Sequence, residues 1–136
     1  MIKSDAQRKR TAARLETFRA ARGKVRAETS GKRRVAILGS YDGIIRQLQA
    51  EVAEYDRLKQ GKVRIPPIER LDQIAPYVTK IRIARGVSQT QLARLLGVSK
   101  QVINRWEESD YQVMAIPRLQ NLLDKLGVKI RTRVIA

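Results

Sequence analysis

The chain contains neither cysteine nor histidine. Without them it can build no zinc finger, no disulfide scaffold and no thiol or imidazole catalysis. No metal or cofactor is expected. No Gly-rich phosphate loop is present either: Gly31-Lys32 lacks the upstream glycine and the Ser/Thr after lysine that such a loop requires. No uninterrupted apolar run reaches the ~18 residues of a membrane span, and the N-terminus lacks the apolar core of a secretion signal. These absences fit a cytoplasmic protein. Aromatics are scarce, with one Phe, one Trp and four Tyr, so the core must be built mainly of Leu, Ile, Val and Ala. Acid pairs such as Glu107-Glu108 lie in a helical pattern that explains them structurally, and no catalytic residues or enzyme activity are expected.

What the chain has in abundance is positive charge. It carries 29 Lys/Arg against 13 Asp/Glu, a formal +16, over 136 residues. Such a surplus favours polyanions, nucleic acid first and an anionic membrane surface second. Met1 to Arg34 holds 12 Lys/Arg against 3 Asp/Glu, a net of +9. That stretch reads either as an arm for the DNA backbone or as a solvated helix face. The 43% of hydrophobic residues suffices for a modest core.

Periodicity predicts a helix over Met1 to about Arg22, with Ala12, Leu15, Phe18 and Arg22 on one side. Gly23 to Arg34 has no period and reads as a flexible connection. Val35 to Leu38 is a short apolar stretch, and Gly39 to Gly43 is turn-like or equally the entry to the next helix. A second helix is predicted from Asp42 or Gly43 to Gln60, with Ile45, Leu48, Val52 and Tyr55 in a stripe that Ile44 and Leu58 widen. This stripe suits a hairpin with the first helix or a dimer seam. Lys62 to Pro67 marks a boundary, because Pro66-Pro67 cannot continue a helix. The domains are therefore placed at 1–65 and 66–136. Ile68, Leu71 and Ile74 point together in a short turn, and Pro76 opens a helix to about Arg85. Pro117 marks a last helix with Leu119, Leu122, Leu123 and Leu126 as its apolar stripe. From Val128 to Ile135 apolar residues alternate with Lys129, Arg131 and Arg133, a strand pattern. A lone strand needs a partner: its own copy, Val35 to Leu38, or another protein.

The stretch Ser88 to Glu108 carries the strongest signal. Ser88 with Gln91 has capping-box spacing, so a helix should begin at Gln89, with Leu92, Ala93, Leu95 and Leu96 on its apolar side. Gly97 suits the left-handed turn that stops it. Ser99 is a good N-cap for a second helix to about Glu108. In that helix Val102, Ile103 and Trp106 recur at helical spacing, while Lys100, Gln101, Asn104 and Arg105 point outward. These outward side chains can donate to base edges and phosphates.

The arrangement resembles the helix-turn-helix of the Cro/repressor (Xre-like) family. The likeness rests on Arg82, Gly86, Gln89, Leu92-Ala93, Ile103 and Glu107, all in register. More loosely, AILGSYDGIIRQLQAEVAEYDRLKQG resembles the helix that precedes the helix-turn-helix in a bacterial subgroup of the family. With the periodicities above, the resemblance gives a mainly all-α fold: an N-terminal helical hairpin or extension followed by a compact Xre-like bundle, with the alternating stretch as a short C-terminal β-strand. It implies that the Ser99 to Glu108 helix enters the major groove of double-stranded DNA. Carried over by position, Lys100, Gln101 and Arg105 fall at base-reading places, and Asn104 meets a base or a phosphate. Gln89 matches a phosphate clamp, near which free helix amides also point at the backbone. Arg82 and Glu107 are implied to be a structural ion pair.

The function implied is a sequence-specific transcriptional repressor acting as a homodimer, because one such domain reads only a few base pairs. The alternative is an antitoxin that binds a protein toxin through the N-terminal half and regulates its own operon. A third reading is a nonspecific chromatin or RNA binder.

Overall fold

A computed structural model describes residues 1–28 and 31–136, the side chains of 26–28 excepted. The chain divides into two compact units, Met1–Arg57 and Leu58–Ala136. Among the described residues the regular structure is helical.

The N-terminal unit is a pair of long helices, α1 (Asp5–Glu28) and α2 (Gly31–Lys59). Their antiparallel register can be read from the cross-helix contacts. Arg8 forks onto Asp56 near one end, at 3.0 and 2.8 Å. Arg22 meets Asp42 further along, at 2.5 Å. The Phe18 and Tyr41 rings stand 6.0 Å apart between them. Leu15, Ile45 and Leu48 form the buried centre, as the apolar stripes predict, although Ile44, expected to widen the second stripe, is exposed. Tyr55 donates its hydroxyl to Asp5 at 2.8 Å.

Two expectations are corrected here. Gly23 to Arg34 was expected to be a flexible connection, yet α1 continues to Glu28 and α2 begins at Gly31; Thr29 and Ser30 lie outside the described residues. Gly39 to Gly43, read as turn-like or as the entry to the second helix, sits well inside α2, which begins already at Gly31. A mid-helix glycine costs only about 1 kcal/mol relative to alanine. No proline occurs before Pro66 to remove a backbone donor, and the flanking Tyr41, Ile45 and Leu48 pack against α1.

Residues 62–68 carry no regular structure. The C-terminal unit then packs a 3-10 segment (Leu71–Tyr77), α3 (Val78–Ala84), α4 (Gln89–Leu96), α5 (Lys100–Glu108) and α6 (Ile116–Lys125). Pro76 lies within the 3-10 segment rather than opening a helix. The core comprises Ile74, Ala75, Val78, Ile81, Leu92, Ala93, Ile103, Tyr111, Leu122, Leu123 and Leu126. Leu71, expected to point inward with Ile74, is 66% exposed, and Leu95, expected on the buried side of α4, is 46% exposed.

The predicted C-terminal strand does not form. Residues 128–136 pair with no strand among the described residues, and Val134 and Ile135 are almost fully exposed. The alternation is real, but hydrogen-bonded pairing is what makes a strand. Its one intrachain candidate, Val35 to Leu38, is part of α2.

A candidate nucleic-acid interface

The reading face is built by two caps and a turn. The Ser88 hydroxyl accepts from the Gln91 amide at 3.1 Å while the Ser88 amide donates to Gln91 Oε1 at 2.8 Å. This reciprocal pair fixes the start of α4. Gly97 ends α4 at φ 67°, ψ 33°, a left-handed conformation that a β-carbon would strain. The Val98 amide closes the turn on the Ala93 carbonyl at 3.0 Å. The Ser99 hydroxyl then accepts from the Val102 amide at 3.3 Å and starts α5. Ser99 is thus occupied as an N-cap.

α5 has two faces. Ile103 and Glu107, one turn apart, are completely buried; Val102 and Trp106 flank them half-buried. Lys100, Gln101, Asn104, Arg105 and Glu108 are exposed. The 3.6-residue period therefore brings Lys100, Gln101, Asn104 and Arg105 together on the solvent side.

The inner face is anchored by charge as well as by packing. Arg82 Nε donates to Glu107 Oε1 at 2.5 Å and Nη2 to Oε2 at 3.2 Å, with side-chain exposures of 2% and 0%. Arg82 Nη1 donates to the Val87 carbonyl at 2.7 Å. Glu107 also accepts from Gln89 Nε2 at 2.7 Å and from the Tyr111 hydroxyl at 3.4 Å. No buried side-chain polar atom among the described residues is left without a partner, so this pair meets the condition under which buried charge is tolerated. Burial, and secondarily the Glu107 carboxylate, push the Tyr111 phenol well above its ordinary range and keep it a neutral donor.

Gln89 is placed differently from its neighbours in the implied site. It is 8% exposed, and its amide nitrogen is turned inward onto Glu107. The same nitrogen lies 3.5 Å from Asn104 Oδ1, and Asn104 Nδ2 donates to Glu108 at 3.0 Å. A polar chain thus runs from the buried Arg82–Glu107 pair through Gln89 to Asn104 on the exposed face. Sequence reasoning missed Tyr111. The one signal for it is its position four residues after Glu107, although the turn between them uses left-handed Asp110 and Tyr111, at φ 50° and 58°.

Residues 78–132 match the helix-turn-helix family model. This domain belongs to the Cro/repressor-like (Xre-like) helix-turn-helix family. Its function is that of a DNA-binding transcriptional regulator. Neither a curated protein nor a solved structure matched the chain. No group of three or more potential metal ligands occurs among the described residues, and no helix there is long and apolar enough to cross a membrane.

Proposed function

We propose that the chain is a dimeric, sequence-specific repressor that reads double-stranded DNA with the exposed face of α5 and blocks transcription by occupying promoter DNA. The observation that carries this reading is the division of α5. Ile103 and Glu107 hold the helix rigidly from within while Lys100, Gln101, Asn104 and Arg105 stand outside it. A short helix presented in this way fits the major groove. Arg105 is assigned to a guanine edge and Gln101 to an adenine edge, each worth ~1–3 kcal/mol of discrimination. Lys100 adds a cation at the N-terminal end of the reading face. With its amide nitrogen on Glu107, Gln89 serves this reading as a support for Asn104 more directly than as a phosphate clamp.

A two-fold dimer doubles the readout and sets half-sites about one helical turn apart. In-vitro selection from random duplex DNA with the full chain tests class and symmetry together. The expected product is a two-fold-related consensus preferred by ~10³ or more over unrelated duplex. Absence of any enriched sequence contradicts the proposal.

The antitoxin reading draws on a separate observation, the N-terminal compact unit of residues 1–57. Reading DNA through α5 does not call on it. Its basic opening segment favours an acidic partner over a basic toxin. Co-purification of a small protein bound to this unit would decide for the antitoxin.

A further inference from the structure

We propose that the N-terminal helical hairpin is a second DNA-binding surface, one that holds duplex phosphates without regard to sequence. This inference rests on the reading of the C-terminal unit as a duplex-DNA binder.

The hairpin's own architecture accounts for only some of its cations. Arg8 and Arg22 cross to Asp56 and Asp42 and hold α1 on α2. Arg19 pairs with Glu16 on the same helix. The Arg14 guanidinium lies 5.6 Å from the centre of the Phe18 ring. Acids of the hairpin are committed as well, with Asp5 accepting from Tyr55 and Glu51 from Gln47. Lys9, Arg10, Lys24, Lys32 and Arg33 are among the cations that this leaves. All five are exposed, and among the described residues none has an acidic partner. Lys32 and Arg33 also sit in the first turn of α2, which contains no acid. Cations there oppose the helix dipole, so helix stability does not explain them. Solubility does not explain their sign, because added acids serve it better than added bases.

The surroundings of these cations select the polyanion. Single-strand binders need exposed aromatic faces on which bases stack. The aromatic residues of this unit are Phe18, Tyr41 and Tyr55, all buried or half-buried in the hairpin. Helices that bind membranes insert an apolar face, but here the apolar stripes of α1 and α2 are used against each other around Leu15, Ile45 and Leu48. Cations without stacking rings or an inserting face fit the phosphate rows of a duplex, where affinity comes from counterion release.

The test compares the full-length chain with a Lys9→Gln/Arg10→Gln/Lys24→Gln/Lys32→Gln/Arg33→Gln variant on duplex DNA of scrambled sequence. The slope of log affinity against log salt should flatten by ~0.9 for every phosphate that the variant no longer neutralises, hence by ~2 or more for the set. Preference for the selected site over scrambled duplex should stay within about threefold, since phosphate contacts carry no sequence information. Exchanging the same lysines and arginines for one another should keep the parent slope. If the quintuple variant loses helicity, Lys9→Gln/Arg10→Gln alone gives the same comparison, with an expected change of ~1–2 in slope. An unchanged slope in a folded variant overturns the proposal. So does a weakening of binding confined to anionic lipid vesicles or single-stranded RNA. A parent chain without sequence preference would overturn the α5 reading instead, and the slope comparison would still stand.

Discussion

Arg82 and Glu107 meet in the C-terminal unit with side-chain exposures of 2% and 0%, whereas Arg8 and Asp56 meet in the N-terminal unit at 39% and 43%. Both are two-pronged arginine–carboxylate pairs. They differ in solvent and in company. Glu107 accepts additionally from Gln89 and Tyr111, so its removal strands several buried donors. Asp56 faces water, which screens the pair and replaces it when it breaks. The buried pair is thus a condition for α5 to sit where it does. The exposed pairs fix the register of a hairpin that Leu15, Ile45 and Leu48 already hold.

The largest test of this contrast is Glu107→Ala. Removing one partner of a buried pair costs roughly 3–5 kcal/mol, and denaturant unfolding of the full chain should show a drop of that size. A melting temperature equal to the parent's would refute the role given to the pair. The double change Arg82→Met/Glu107→Leu sharpens the point. Because it leaves no stranded charge, it should unfold at higher denaturant than Glu107→Ala alone. Next in size is Gln89→Ala, which removes the donor 2.7 Å from Glu107. Leaving that buried acceptor short of a partner costs about 1–3 kcal/mol. If Gln89 supports Asn104, the change should also alter base preference without shifting the salt slope.

In the N-terminal unit the expected effects are smaller. Arg22→Ala should move the unfolding midpoint far less than Glu107→Ala does; a comparable shift would erase the distinction between the two units. The smallest effect is on pH. Hydrogen bonds from Arg22 and Arg8 hold the Asp42 and Asp56 carboxyls below their ordinary range. A carboxylate whose folded pKa is lowered stabilises the fold above its unfolded value, ~3.9 for Asp, and that contribution disappears as pH falls through the folded value. Melting temperature should therefore lack any dependence from these pairs between pH 5 and 7 and decline below about pH 4. Asp42→Asn/Asp56→Asn should reduce that decline.

The sequence disclosed local features best. The capping spacing of Ser88 with Gln91, the stop at Gly97 and the start at Ser99 each depend on a few neighbouring residues. The buried and exposed sides of α5 followed from one period. Arg82 and Glu107 stand 25 residues apart, and in the sequence only the family resemblance joins them. The glycine at 39 misleads because its local penalty is outweighed by packing against a distant helix. The pattern from Val128 to Ile135 misleads for the opposite reason: alternation is local, but a strand requires a partner. The inward turn of Gln89 depends on Glu107, eighteen residues away in sequence, so its position alone could not reveal it.

Repeating the in-vitro selection with Arg105→Ala addresses the reading face most directly. The consensus should keep its two-fold form and lose its preference at one base pair of each half-site, by ~1–3 kcal/mol, with thermal stability unchanged. A uniform fall in affinity at every position, or an unaltered consensus, would contradict the assignment of α5 to the bases.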